Sequence, residues 1–505
     1  MPPRLRPNLV LCLSVLAGLA GLIACGKSDP PAGPPYQYTA PPAGAPPAGL
    51  DLATWQTHLT GDLLPYWRMA EAQGTPLGNF PTWRGMDGTV QGSSNRKPRM
   101  LGRQIFTYCI GYLMTGDESL LALAKAGNRW LLDHGRDKAR GGWFADLDAA
   151  GNQSGDNPKF AQDLSYTVMG PAAYFFVTGD PESEAVVLEA RDLLFTKYWD
   201  QANGRIKDGL TGDLGADAPM YPPSANRGSE LVAQLDPITA FLLLVQPVLT
   251  DPARRAQLLG DLKTLATLIQ TSYWKDGLFW GSTGVIGQYN TDHTDFGHIL
   301  KAYWALTQVD KRLADHPLRS FLATAAPASL TFAYDAPNGR WANRPFSATK
   351  VYYGPDWWEA AEANNLAATL ALQDPRWIST LGTTAANFRG DYVDRTRPVR
   401  EVVSTVDRTG KWVYGWPDHD TAKCNEWKNG FHTTEQALVM AAFSSWLTAK
   451  PLQLYFAFPA AEAQTRGALA TPYSFLGHVA AVEDKGALAA DPALHKTLVS
   501  FDQIR

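Results

Sequence analysis

Six polar side chains recur at matching places along the chain: Arg103, Asp163, Asp236, His298, Glu362 and His432. Each opens an apolar, aromatic-rich stretch. The first five stand 12 to 17 residues ahead of an aspartate in a short turn, at 117, 180, 251, 310 and 374. Their types could serve a reactive pocket: two imidazoles that titrate near neutral pH, three carboxylates and one guanidinium. Taken singly, each is also an ordinary first-turn residue of a helix. That plainer reading suits the three acids, which complement the helix dipole, and is neutral for the histidines. It suits Arg103 poorly, because a cation at a helix N-terminus opposes the dipole. If the helices form a parallel inner ring, all six side chains converge at one mouth.

The elements that must position these residues form a repeat. Arg103–Thr115 pairs with Glu118–His134, and Asp163–Thr178 with Pro181–Trp199. Asp236–Thr250 pairs with Ala253–Trp274, His298–Val309 with Lys311–Phe332, and Glu362–Gln373 with Arg376–Phe388. A sixth inner helix is expected at Thr433–Thr448. The turn aspartates are 63, 71, 59 and 64 residues apart, the length of a helix pair plus a long return loop. The first helix of each pair is apolar nearly all round, as in Ile238–Val245, and so is buried on most sides. The second is amphipathic, as in Leu258–Ile269, and suits an outer layer. The pattern predicts an all-α fold, an (α/α)6 barrel spanning residues 50–450; an open superhelical solenoid is the alternative. Return loops rich in Gly, Trp and polar residues favour closure, since they would build a pocket over one mouth. Residues 451–505 form a C-terminal extension expected to be β-rich, with candidate strands at 452–458, 474–482 and 497–501. No chemical role is evident for it.

The first residues read as an export signal. Arg4 and Arg6 precede an apolar run from Leu9 to Ile23, too short to span a bilayer comfortably. The run ends in Leu22-Ile23-Ala24-Cys25, which resembles the lipobox of bacterial lipoproteins. The expectation is a signal peptide at 1–24, a lipidated Cys25 and a Pro/Ala/Gly-rich tether to residue 49. Gly26 after the cysteine would then favour the outer membrane, with the folded part in the periplasm. An ordinary cleaved signal with an incidental cysteine is the alternative. Formal charge is −4, and losing a leader that carries Arg4 and Arg6 makes the remainder more acidic. With no basic stripe, nucleic acid is an unsuited partner. Of the four cysteines, Cys109 and Cys424 either pair in an oxidising compartment or lie buried as apolar thiols. No Cys/His cluster has metal-site spacing, so no metal is expected.

Several short segments resemble the N-acylglucosamine 2-epimerase superfamily over roughly Leu50 to Leu447. Gly102-Arg103-Gln104, with Tyr108 and Tyr112, resembles its sugar-binding arginine segment. Residues 141–152, Gly-Gly-Trp-Phe-Ala-Asp-Leu-Asp-Ala-Ala-Gly-Asn, resemble its glycine-aromatic hairpin. Asp295-Phe296-Gly297-His298 resembles its Gly-His motif, and Trp357-Trp358 with Glu362 its Trp-Trp-x-x-x-Glu motif. Gly430-Phe431-His432 resembles its aromatic-His motif. The resemblance implies a carbohydrate substrate and cofactor-independent chemistry at C2 of a free reducing sugar. It implies that His298 and His432 are the acid/base pair. Imidazole suits that work because it gives and takes protons near neutral pH. Arg103 would stabilise the charge developing on the carbonyl oxygen. Trp143, Tyr353, Trp357 and Trp358 would stack on the sugar, although most large aromatics in such a ring are core. Asp163, Asp236 and Glu362 would complete the substrate contacts.

Two positions depart from the family pattern. Many members carry Glu where this chain has Lys301, and an Asn-x-His-x-His pattern where it has Gln234-Leu235-Asp236-Pro237-Ile238. Lys301 either binds an acidic sugar, pairs with Asp236 or Asp295, or is a solvated helix residue. His293 either lines the same mouth or, like the remaining histidines, sits at the surface or as a satisfied residue. Two other functions stay open at this point. One is a glycoside hydrolase or lyase using a pair from Asp163, Asp236 and Glu362. The other is a non-catalytic glycan-binding lipoprotein.

Overall fold

The computed structural model describes residues 35–92, 95–413 and 422–505. The expected signal peptide, Cys25 and the first part of the tether lie outside the described residues. Among the described residues, twelve long helices alternate between two layers. Helix α1 covers 52–67, with a π-helical middle at His58–Leu63. Then follow α2 (Pro98–Thr115) and α3 (Glu118–His134), α4 (Ala161–Thr178) and α5 (181–198), and α6 (Leu231–Val248) and α7 (Pro252–Tyr273). The series continues with α8 (Phe296–Arg312) and α9 (Arg319–Ala333), and α10 (Trp357–Ala371) and α11 (Trp377–Asp391). It ends with α12 (Phe431–Thr448).

Helices α2, α4, α6, α8, α10 and α12 form the inner layer, each against the next, and α12 returns to pack on α2. The ring is therefore closed, and the open solenoid is excluded. The sixth outer helix is α1, which packs on α12 from the other end of the chain. Two helices in each of six positions make the expected (α/α)6 barrel. The layers follow from composition. Every residue of α4 except Asp163 is buried, whereas α3 buries one stripe that includes Leu120, Ala124 and Leu131. Each fully buried Leu or Phe contributes about 1.5–3 kcal/mol relative to its exposed state. Helix α6 is apolar and long enough to cross a membrane by composition, yet 94% of it is buried inside the protein.

The tight turns between inner and outer helices have a common chemistry. Gly116 and Gly179 end α2 and α4 in the left-handed region, with φ of 67° and 72°, a conformation that favours glycine. The following Asp117 and Asp180 accept hydrogen bonds from the backbone N–H of Ser119 and Ser183 and so cap the next helix. Asp251 caps α7 through Ala253 N–H. Asp310 differs from expectation. It lies inside α8, which runs on to Arg312, and the turn comes at 313–318. Its carboxylate is fully buried and accepts from Leu318 N–H at 2.8 Å and from the Tyr36 hydroxyl at 2.9 Å. It thus fixes the turn from behind rather than capping the next helix.

That second bond corrects the expectation of a free tether reaching residue 49. From residue 35 the segment is extended but docked across the C-terminal ends of the inner helices. Tyr36 is 7% exposed and lies under the Arg319 guanidinium at 3.8 Å. Thr39 C=O accepts from Trp446 Nε1 at 2.7 Å. The composition predicted the extended backbone; one aromatic and one carbonyl account for the docking.

In the long return loop before α10, strand β1 (Arg340–Pro345) pairs antiparallel with β2 (Val351–Tyr353). After α12 come β3 (Leu452–Pro459), β4 (His478–Ala487) and β5 (Leu494–Asp502), in an antiparallel sheet of order β3-β5-β4. Strand β4 starts at His478 rather than Ser474. This sheet covers the same barrel end as the docked segment: the Tyr112 hydroxyl of α2 donates to Phe456 C=O, and Phe176 of α4 packs edge-on against Phe456. Cys109 and Cys424 are buried free thiols and do not pair.

Removing Tyr36 tests the docking. Tyr36→Ala should cost about 3 kcal/mol, as for other buried aromatics, and Tyr36→Phe about 1 kcal/mol for the lost hydrogen bond. Urea unfolding curves of the two variants read both values; unchanged midpoints would show that the docked segment contributes nothing.

Candidate active site

The N-terminal ends of the inner helices surround a cavity of about 410 Å³. Arg103, His298, Trp357, Trp358 and His432 line it. Each of the six polar residues falls in the first two turns of its helix, because the inner helices begin up to five residues earlier than their polar markers. His298 comes from α8 and His432 from α12. Trp358, on α10 between them, touches both: its ring lies 4.8 Å from the His298 ring and 5.7 Å from the His432 ring, centre to centre. The two imidazoles are thus neighbours around a single indole. Gly297 permits this, since a Cβ there would fall 2.3 Å from the Trp358 ring.

Each imidazole is held by a carboxylate on the same ring atom. His298 Nδ1 lies 2.8 Å from Asp295 Oδ2, while the other oxygen of Asp295 caps α8 by accepting His298 N–H at 2.9 Å. His432 Nδ1 lies 3.0 Å from Glu362 Oε1, and Glu362 Oε2 accepts from Trp304 Nε1 at 2.6 Å. A proton on Nδ1, donated to the carboxylate, leaves Nε2 as the basic nitrogen. Burial drives His432 down to about 4, against the upward pull of Glu362, so the ring is neutral at pH 7. Burial alone would raise Asp295, but the His298 ring and its hydrogen bonds outweigh it and leave the carboxyl below its ordinary value.

Arg103 is 5% exposed, with its guanidinium 3.7 Å above the Tyr166 ring and Nη1 donating to Trp427 C=O at 3.2 Å. Beneath it lies the answer to the Lys301 question. Lys301 Nζ is 2.7 Å from Asp236 Oδ1, and it donates to the Tyr166 hydroxyl at 2.9 Å. Gln162 donates to the second Asp236 oxygen at 3.0 Å. Both charges are buried, which would discharge each of them. Their mutual attraction prevails, lowering Asp236 and raising Lys301. Of the three readings of Lys301, the pairing with Asp236 is the one found. Neither residue lines the cavity.

Other expected substrate contacts lie elsewhere. Trp143 is buried in the core and does not line the cavity, and its loop is held by a β-bridge from Arg136. Asp163 pairs with Arg99 at 2.9 Å, outside the lining. Tyr353 is 41% exposed, with the Arg408 guanidinium 3.8 Å from its ring. Glu362 acts from behind His432 rather than on the cavity wall. Asp163, Asp236 and Glu362, which a hydrolase would need, are therefore all absent from the lining.

The sequence reading did not single out Tyr166, Arg344, Asp356 and Trp427 as site residues, and all of them line the cavity. Tyr166 is one turn beyond Gln162 on α4, and Trp427 precedes His432 by five residues, so both were within reach of helical spacing. Arg344 and Asp356 sit in and beyond the β1–β2 loop region, where periodicity carries no signal. His293 also lines the cavity, one of its two readings.

Among the described residues, one trio has donor atoms close enough to hold a cation: Glu362, His432 and Glu435, all within 4.8 Å of one another. Their atoms are largely engaged already. His432 bonds Glu362, and Glu435 Oε1 accepts from the Tyr473 hydroxyl. Burial, with the Glu362 charge nearby, raises Glu435 well above the ordinary carboxyl value. The trio is a hydrogen-bonded cluster beneath His432.

The sequence profile of the family described as N-acylglucosamine 2-epimerase matches residues 78–225. A cellobiose 2-epimerase of Bacteroides fragilis is 24% identical over 296 residues, covering 55% of this chain and 71% of that protein. A D-mannose isomerase of Thermobifida fusca is 26% identical over 292 residues, covering 54% and 69%. The solved cellobiose 2-epimerase of Spirochaeta thermophila superposes with a TM-score of 0.68 at 20% identity, over 79% of this chain and 97% of that one. A solved D-mannose isomerase gives 0.65 at 19% identity, over 79% and 99%.

Over residues 78–225 this chain is similar to the N-acylglucosamine 2-epimerase family, and its fold is that of the solved epimerases.

Asp236 and Lys301 form one unit: a buried acid and a buried base that compensate each other. Asp236→Asn and Lys301→Met should each cost about 3–5 kcal/mol, because each leaves a buried charge alone. The double variant should lose less than their sum. Denaturant unfolding of all four proteins measures the coupling, and simple additivity would refute the pair.

For His432, a histidine-labelled nitrogen NMR titration should show Nδ1 protonated at neutral pH, with a midpoint near 4. Glu362 raises that midpoint, so Glu362→Gln should move it lower still. A midpoint near 6.5 in both proteins would contradict the assignment.

Proposed function

We propose that this protein interconverts reducing sugars at C2, as an epimerase or an aldose–ketose isomerase, with His298 and His432 moving the proton. Similarity to the N-acylglucosamine 2-epimerase family, to a cellobiose 2-epimerase and to a D-mannose isomerase supports the activity class. One observation carries the residue assignment: two imidazoles, each with a carboxylate on Nδ1, stand around one indole and line one cavity. The C2 hydrogen of an open-chain sugar is acidified by the neighbouring carbonyl. A neutral imidazole Nε2 removes it, and the carbonyl oxygen takes up the negative charge of the enediolate. Arg103, which lies over the Tyr166 ring, stabilises that oxygen in this reading. The imidazolium that forms is balanced by its own Asp295 or Glu362. Epimerisation returns a proton to the opposite face of C2 from the second imidazole; isomerisation returns it to C1 from the same face. Trp357 and Trp358 offer aromatic surface for the sugar ring.

The hydrolase reading loses its three carboxylates to other partners. For location, we propose export and lipid anchoring through Cys25, with the cavity in the periplasm. The apolar run 9–23 and its Ala24-Cys25 end support this.

Exchange in heavy water tests the chemistry. Incubation with neutral, amino and acidic aldoses should place deuterium at C2 of at least one. His298→Ala and His432→Ala should each slow exchange about 10²–10⁴-fold, the usual contribution of a positioned acid or base. Exchange at the unchanged rate in either variant would rule out the proposed pair.

A further inference from the structure

The C2 step accounts for two imidazoles, yet three line the cavity. The third, His293, lies edge-on to His298 with ring centres 5.0 Å apart. Its Nδ1 is 2.8 Å from Glu230 Oε2, the same carboxylate-on-Nδ1 arrangement as its two neighbours. Nε2 has no partner among the described residues and is left for the cavity. His293 is not required to neutralise Glu230. The Arg227 guanidinium already holds both oxygens of that carboxylate at 2.7 Å, and it also donates to Asp292 C=O. The remaining groups facing His293 are Asp292 and the Tyr221 ring, 6.2 Å away. The histidine also sits in the left-handed region, with φ of 58°, a conformation that non-glycine residues hold only where the surroundings impose it. A strained backbone, a buried carboxylate and a clamping arginine all serve to aim one ring nitrogen into the sugar cavity.

A chemical requirement matches this feature. Removal of the C2 proton needs a free carbonyl at C1, and hexoses in water are almost wholly closed hemiacetals. We propose that His293, backed by Glu230, opens the hemiacetal ring in the cavity, so that the protein also interconverts the α and β anomers of its substrate. The step is balanced within the sugar and one imidazole. Nε2 takes the proton from the hydroxyl on C1, and the C1–O1 bond becomes a carbonyl. The C1–O5 bond breaks with its electron pair on O5, and Nε2 returns the same proton to O5. Glu230 stabilises the imidazolium in between. Rotation about C1–C2 before reclosure yields the other anomer.

This inference rests on the C2 reading for its choice of substrate, but its readout is separate. The test uses the sugar that shows C2 exchange, or D-glucose and D-mannose if none does, and follows anomer interconversion by NMR magnetisation transfer. The full-length protein should accelerate it at least tenfold over buffer. His293→Asn, which tolerates left-handed φ, should abolish the acceleration, and Glu230→Gln should weaken it. A second measurement separates ring opening from general damage. An aldohexose methylated on its C4, C5 and C6 hydroxyls cannot close a stable ring, so its C2 exchange should be within threefold of wild type in His293→Asn. Exchange of the ring-forming sugar should fall at least tenfold. Anomer interconversion that persists in His293→Asn, or equal losses on both sugars, would overturn the proposal. Absence of C2 exchange in the unaltered protein would instead defeat the C2 reading, whatever the anomer result.

Discussion

An imidazole is a directional base only when one of its nitrogens is fixed as the donor. Around this cavity the fixing is done three times in the same way, by a buried carboxylate on Nδ1 of His293, His298 and His432. Each carboxylate must be kept in place although burial disfavours its charge. Asp295 meets that requirement as a helix cap, Glu362 with the Trp304 indole, and Glu230 with a two-point arginine clamp. The supports come from different stretches of chain. Only a closed ring brings α8, α10 and α12, and the loops between them, around one axis.

The same constraint explains the polarity of the floor. A ring of helix N-termini is a positive environment. Carboxylates there are favoured, and a lysine is disfavoured unless it has its own acid. Lys301 has Asp236 at 2.7 Å, with Tyr166 and Gln162 satisfying the remaining polar atoms. Arg103 then lies on the ring of Tyr166, whose hydroxyl accepts from Lys301. The charge reversal relative to the family pattern is therefore paired with the loss of a histidine on α6. It reaches the cavity through the position of Tyr166 and Arg103, not through direct contact.

Much of this was legible in the amino-acid order, and the illegible part has a physical cause. The helix pairs, the ring and its polar end follow from 3.6-residue periodicity and from Gly-Asp turns, which are local. His298, His432 and Arg103 could be placed on one mouth because each is tied to a helix end. Trp143 and Tyr353 were misplaced because they belong to return loops, where chain direction is set by distant contacts such as Arg408 on Tyr353. Asp310 was misread because an aspartate near a turn looks like a cap, whether it sits outside the next helix or inside the previous one. The docking of Tyr36 was invisible because its partner Asp310 is 274 residues away and no local pattern records it; the Lys301–Asp236 pair was one of three open readings, and only the fold selects it.

The two mouths of the barrel are unequal, and the inequality bears on the chemistry. One mouth is open above the histidines. The other is covered by the docked segment from residue 35 and by the sheet β3-β5-β4. From that sheet's approach Tyr473 enters the barrel and donates to Glu435, one turn below His432 on α12. Two buried carboxyl groups, Glu362 and Glu435, then lie within 4.8 Å of the same imidazole. If both were ionised, the pair would hold a proton on His432 and remove the free base. Burial pushes the Glu435 carboxyl up, and burial pushes the His432 ring down to about 4 against the pull of Glu362. About a fifth of this chain lies beyond the match to the solved cellobiose 2-epimerase of Spirochaeta thermophila. The C-terminal extension, for which the sequence suggested no chemical role, thus reaches the carboxyl cluster beneath His432 through the Tyr473 hydroxyl.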